Sequence, residues 1–220
     1  MKFTEYTYKR PDYEQYKKDF LRLVETLKAA GSLEEVKETI DKISELSASI
    51  ETMGTLASIR HTIDTKDAFY EEEDNYWNEY SPYYQELSTT YYKAVMDSDY
   101  LEELKEFYPR TYFQFMAYEL NAFDSSVIDL LQKENQLSSD YQKLMASAEI
   151  EFDGKKLTLS QFGPYLQSTD REMRKDATDA HLSFFKENEE KLDQIYDEMV
   201  KVRDSIAKKL GYNDFVELAY

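Results

Sequence analysis

The chain has 220 residues, of which 41% are apolar and 33% charged, and 45 Asp and Glu against 27 Lys and Arg give it a formal net charge of -18. So acidic a surface repels phosphate backbones and anionic bilayers, which argues against nucleic-acid and membrane-surface partners. The absence of cysteine excludes disulfides and thiolate metal sites.

Aromatic residues (20 Tyr, 12 Phe and 1 Trp) supply the buriable surface of a folded chain, while only 5 Gly and 4 Pro leave too few turn residues for an all-β fold. The first twenty residues, MKFTEYTYKRPDYEQYKKDF, hold no apolar run that would serve as a signal core. No later segment approaches membrane-spanning length. The reading at this level is a soluble, cytoplasmic, mainly α protein.

In chain order, residues 12–30 place Tyr13, Tyr16, Phe20, Leu23, Leu27 and Ala30 on one helical stripe, with Gly31 as its end. Ser32 and Glu35 have capping-box spacing, and Leu33, Val36, Ile40, Ile43, Leu46 and Ile50 continue the helical period. These two segments predict a helical hairpin. The next break is expected within TMGTLASIRHTIDTKDAF, with Asp64 or Thr65 capping a long helix to about Asp97. Phe69, Tyr76, Tyr80, Tyr83, Leu87, Tyr91 and Ala94 share its inner face, and Pro82 predicts a kink or break.

Short helices are expected over Tyr100–Tyr108 and Pro109–Ala122. A longer one is capped by Asp124 or Ser125, and Ser138 and Ser139 stand as its weak point. In EIEFDGKKLTLSQ the apolar period changes to two around Asp153-Gly154, which predicts a β-hairpin near residues 149–160. Helix then resumes, with Thr169 and Glu172 at capping-box spacing and Met173, Ala177, His181 and Phe184 facing inward. After Asn188, Leu192, Ile195, Met199, Val202, Ile206 and Leu210 mark the last long helix, closed by Gly211. The fold class is therefore a multi-helix bundle of helical hairpins with one small β-hairpin. Three regions are read: 1–110 with the first hairpin and the Tyr-rich helix, 111–186 with the β-hairpin, and 187–220.

Motifs for chemistry are missing. Neither histidine, His61 or His181, belongs to HExxH, and neither has the Glu spacing of di-iron bundles. His181 reads as a packed core residue and His61 as a surface or capping residue. There is no GxSxG, no phosphate-binding glycine loop and no EF-hand spacing. The acidic run Glu71-Glu72-Glu73-Asp74 reads as a solvated helix face. The tyrosines of FYEEEDNYWNEYSPYYQELSTTYY read as a core stripe with amphipathic neighbours at its edge, ahead of the rival reading, a peptide-binding aromatic wall.

Four stretches, IRHTIDTKDAFYEEE, ENQLSSDYQKLMASAEIEFDGKKLTLSQF, STDREMRKDA and IYDEMVKVRDSIAKKLGYNDFVELAY, occur in the same order as in one family. From Ile59 to Tyr220 the chain resembles the front part of oligoendopeptidase F-type zinc peptidases, of the M3 (thimet oligopeptidase-like) family. Ala219 stands where that family commonly has glycine.

The resemblance implies a two-lobed helical peptidase that cuts short oligopeptides in a deep channel. Its zinc would sit on an HExxH helix, with a downstream Glu as third ligand. None of those parts maps onto a residue here, so no catalytic or metal residue is expected in this chain, and substrate-binding residues are not assigned. YNDFVELAY then reads as the first residues of the catalytic portion. The chain is thus expected to be an N-terminal fragment, inactive alone. A free-standing acidic helical module that binds a peptide or basic protein is the alternative, and a carboxylate-rich metal binder the third reading.

Overall fold

Ten α-helices and one two-stranded sheet make up the computed structural model, which describes residues 3–219. A 3-10 turn, Phe3–Glu5, precedes α1 (Tyr13–Lys28), α2 (Leu33–Ile63) and α3 (Ala68–Met96). Then come α4 (Leu101–Phe107), α5 (Arg110–Ala122) and α6 (Ile128–Ala146), strands β1 (Ile150–Phe152) and β2 (Lys155–Leu157), α7 (Gly163–Leu166), α8 (Arg171–Glu187), α9 (Glu189–Lys209) and α10 (Phe215–Ala219). No helix of the described residues is long and apolar enough to cross a membrane.

The chain divides into two compact units. The first comprises residues up to Gln132 with those from Ile206 onward, and the second Lys133–Ser205.

In the first unit α1, α2, α3 and α5 pack around one core. Phe20, Val24, Leu27, Val36, Ile40, Ile43, Leu87, Val95 and Met116 are almost fully buried there. Burial of such side chains contributes about 1.5–3 kcal/mol each. Tyr16, Tyr84 and Tyr91 lie in the same core, with Tyr80, Tyr83 and Tyr92 packed at its edge. Tyr91 is buried where helical spacing places it, whereas Tyr84, off the expected stripe, is buried and Tyr80 and Tyr83, expected on it, are half-buried.

The caps explain several boundaries. Ser32 accepts from the Glu35 amide, but Glu35 reaches back to Gly31 N–H (2.7 Å), one residue before the expected partner. Asp67 caps α3 through the amides of Phe69 and Tyr70, while Asp64 ends α2. Asp67 prevails because its carboxylate reaches two otherwise unpaired amides at once. By the same logic Asp170 caps α8, accepting from Glu172 and Met173 N–H, in place of the expected Thr169.

α1 closes at Ala29, not Gly31. Pro82 does not break α3, which runs unbroken across it with the proline ring buried. The missing hydrogen bond and ring clash cost about 3 kcal/mol, an amount that the buried Tyr84, Leu87 and Tyr91 outweigh. Phe69, expected on the inner face, is 52% exposed. α6 passes through Ser138 and Ser139 without interruption.

In the second unit β1 and β2 pair antiparallel, Ile150 opposite Leu157 and Phe152 opposite Lys155. Asp153 (φ 51°) and Gly154 (φ 68°) both occupy the left-handed region that a two-residue hairpin turn requires. So small a sheet is marginal in water by itself. Leu157 packs with Phe162 and with Ala177 of α8, and Ile150, Phe152, Tyr165 and Ala180 cover them. His181 packs edge-on against Phe162, as its place on an apolar stripe predicts.

Gly211 (φ 90°) ends α9. The Tyr212 amide donates to Ala207 O (2.9 Å) and the Gly211 amide to Lys208 O (3.1 Å), as in a Schellman cap. Asp214 then accepts from the Glu217 amide at the start of α10, none of whose described residues is buried.

Candidate functional site

A dense polar cluster lies where the segment before α1 meets α2 and the start of α3. Glu73 is only 3% exposed. Arg10 donates to it from Nε (3.1 and 3.0 Å) and Nη2 (2.8 Å), and also reaches Glu72 (2.9 Å). Tyr8 donates its hydroxyl hydrogen to Glu73 Oε2 (2.5 Å) and accepts from Trp77 Nε1–H (3.2 Å). Burial alone would raise the Glu73 carboxyl. Hydrogen bonds from Arg10 and Tyr8, with the Arg10 charge, outweigh it and hold the group below the usual carboxylate range. Burial, reinforced by the hydrogen bond to Glu73, pushes the Tyr8 phenol well above its ordinary value.

One turn away, His61 is 1% exposed. Its Nε2 lies 2.9 Å from Glu71 Oε2 and its Nδ1 3.3 Å from Asp74 Oδ1. Asn78 also donates to Asp74 (3.0 Å). Arg60, beside His61 in sequence, donates instead to Tyr70 Oη (2.7 Å) and to the Tyr6 carbonyl.

Two expectations are therefore corrected: His61 is a core residue, and the acidic run is not a solvated face. Glu73 turns inward, Glu71 and Asp74 flank the imidazole, and Glu72 alone stays exposed. Buried charges require such partners.

A signal for both was present. Ile43, Ser47, Ile50, Gly54, Ala57 and His61 continue one seam of α2. Glu73 likewise fills the stripe position between Phe69 and Tyr76. The partners Tyr8 and Arg10 lie more than sixty positions away, with no local pattern to announce them.

This cluster does not fit a metal. The carboxylates sit at opposite edges of the imidazole and engage both ring nitrogens, so they cannot converge on one ion. No group of three or more His, Asp or Glu able to hold a metal occurs among the described residues. Within the second unit, α6 and α9 enclose a groove of about 580 Å³ lined by Ser138, Tyr141, Gln142, Leu192, Ile195 and Tyr196, among others. Tyr141 (46%) and Tyr196 (73%) are exposed at its sides. A concave, mostly apolar surface with a few polar tips is the ordinary form of a small-ligand or peptide contact.

The family model described as the Peptidase M3 N-terminal domain matches residues 3–123. The chain belongs to the M3 peptidase family. Solved structures carry the likeness across all of it. An assigned oligoendopeptidase F from Bacillus anthracis str. Ames is 45% identical, with a TM-score of 0.98 over 100% of this chain and 40% of that one. PZ peptidase A, solved with an inhibitor, is 41% identical with a TM-score of 0.97, and 39% of it is covered. A further assigned oligoendopeptidase F is 42% identical with a TM-score of 0.98, again with 39% covered. No curated protein matches the chain. The M3 chain described here thus spans about two fifths of the length of these solved relatives.

Proposed function

We propose that this chain is the N-terminal helical part of a zinc-dependent oligopeptidase that hydrolyses short peptides, acting in the cytoplasm. The observation that carries the reading is identity of 41–45% to oligoendopeptidase F and PZ peptidase A structures over the whole of the chain. In such an enzyme zinc would activate the hydrolytic water and polarise the scissile carbonyl. In this reading the metal-binding and catalytic residues belong to the part of the family's proteins that this chain does not span.

The task left to these residues is scaffolding. The Arg10–Glu73 and His61–Glu71–Asp74 contacts hold the first three elements in one arrangement. A rigid helical body of this kind walls a channel and restricts entry by size. The groove between α6 and α9, with Tyr141 and Tyr196 at its sides, is the surface here best suited to a peptide's apolar side chain.

The test is a quenched-oligopeptide assay of the purified 220-residue chain with and without added zinc. The reading predicts no zinc-dependent turnover and no retained stoichiometric zinc. Turnover that survives removal of contaminating peptidases and responds to zinc would overturn it.

A further inference from the structure

Trp77 is the only tryptophan in the chain. Its indole N–H donates to Tyr8 Oη (3.2 Å), and Tyr8 passes its own hydrogen to Glu73 Oε2 (2.5 Å). Arg10 fixes both oxygens of that carboxylate. Indole, phenol and buried carboxylate thus stand in series, each hydrogen directed at the next acceptor. The Arg10–Glu73 pair explains how the N-terminal segment is anchored. It does not require a phenol between the carboxylate and the one indole.

A phenol that loses an electron becomes a very strong acid, so the electron leaves readily only where a positioned base takes the proton. We propose that Tyr8 is a redox-active tyrosine that repairs one-electron oxidation of Trp77. A one-electron oxidant removes an electron from the indole and leaves a radical cation with its N–H intact. Tyr8 supplies one electron to that cation. Its O–H bond breaks and the proton moves to Glu73, leaving a restored indole, a neutral phenoxyl radical and a carboxylic acid. A thiol returns a hydrogen atom to the phenoxyl oxygen, and Glu73 gives its proton back to solvent. The oxidising equivalent then ends on a phenol at the edge of the bundle and spares the indole from ring oxidation.

Two other phenols touch Trp77. Tyr84 stacks on it at 5.5 Å and Tyr76 meets it edge-on at 5.5 Å. Their hydroxyls face each other at 3.0 Å, and Tyr76 also donates to the Pro11 carbonyl. Neither hydroxyl is bonded to a carboxylate, so neither has a comparable proton acceptor. Beyond Tyr8, the Phe69 ring at 6.1 Å has no O–H to lose. Tyr70, also at 6.1 Å, accepts a hydrogen bond from Arg60, whose positive charge opposes a hole there. The path ends at Tyr8.

The test is pulse radiolysis of the 220-residue chain with the azidyl radical, which oxidises indole selectively. The indole-radical absorbance should decay into phenoxyl absorbance by a first-order process independent of protein concentration. Tyr8→Phe should slow that process by about tenfold or more, while Tyr84→Phe leaves it unchanged, with circular dichroism verifying that both variants are folded. In D2O the wild-type transfer should slow, because the proton moves with the electron. An unchanged rate in Tyr8→Phe, a slower one in Tyr84→Phe, or the same rate in D2O would each overturn the assignment.

Discussion

Arg10 and Glu73 meet across 63 positions of sequence, the guanidinium forked over a carboxylate that is 3% exposed. The contact ties the extended segment before α1 to the first turns of α3, and Tyr8 completes it from the same segment. Removing one partner strands the other in a place that water does not reach. A fully buried pair broken in this way costs about 3–5 kcal/mol. The Arg10 side chain is 39% exposed, which lowers the figure. Arg10→Ala should therefore destabilise the chain by about 2–3 kcal/mol, read as a lower urea midpoint at unchanged slope. A loss under about 0.5 kcal/mol would place the pair among surface ion pairs.

The same carboxylate sets an acid limb. Its folded-state pKa is depressed, so its contribution is present above the ordinary carboxylate range and disappears as pH falls through the folded-state value. Urea midpoints measured between neutral and strongly acidic pH should fall, and Arg10→Met should flatten that fall. A parallel decline in both proteins would show that other carboxylates dominate.

Much of this architecture was legible beforehand. Tyr13, Phe20, Ile40, Leu87, Val202 and Ile206 announce their helices because apolar periodicity is a local property, and Asp153-Gly154 announces its turn because two adjacent residues set that backbone. Caps were less legible. Asp64, Asp67, Thr169 and Asp170 all suit the role, and the choice depends on where the packed helix starts. The polar cluster was not legible as a cluster. Spacing places Glu73 and His61 on inward stripes, but only tertiary structure supplies the Arg10, Tyr8, Glu71 and Asp74 that make inward placement tolerable.

Tyr13 presents the opposite case. Its hydroxyl is buried and lacks a hydrogen-bond partner among the described residues. Burial, with nearby acidic and phenolic groups, pushes its pKa up to about 12. Deleting an unsatisfied hydroxyl removes a desolvation cost, so Tyr13→Phe should be neutral or stabilising by up to about 1 kcal/mol. Tyr91 is the control, because its hydroxyl meets that of Tyr112 at 2.6 Å. Tyr91→Phe should cost about 1 kcal/mol. Calorimetric melts of the two variants should move in different directions or only the second should move. Equal losses would contradict the assignment.

Gly54 lies within α2 against the Trp77 ring. A Cβ there would sit 3.4 Å from the indole, an ordinary contact. Glycine in a helix interior costs about 0.5–1 kcal/mol relative to alanine, so Gly54→Ala should raise the melting temperature. Gly54→Leu would force its branch into the ring and should cost about 1–3 kcal/mol. A destabilising alanine would mean that the indole approaches the helix more closely than this packing allows.

The proposed function is tested most directly by exchange. This chain would replace the corresponding segment of the Bacillus anthracis oligoendopeptidase F relative, to which it is 45% identical over its whole length, and hydrolysis of a quenched oligopeptide would be measured with and without zinc. If these residues are the helical N-terminal part of such a peptidase, the exchanged protein turns over peptide in a zinc-dependent way while the 220-residue chain alone does not. A folded, zinc-loaded exchanged protein without turnover, or zinc-dependent turnover by the chain alone, would contradict it.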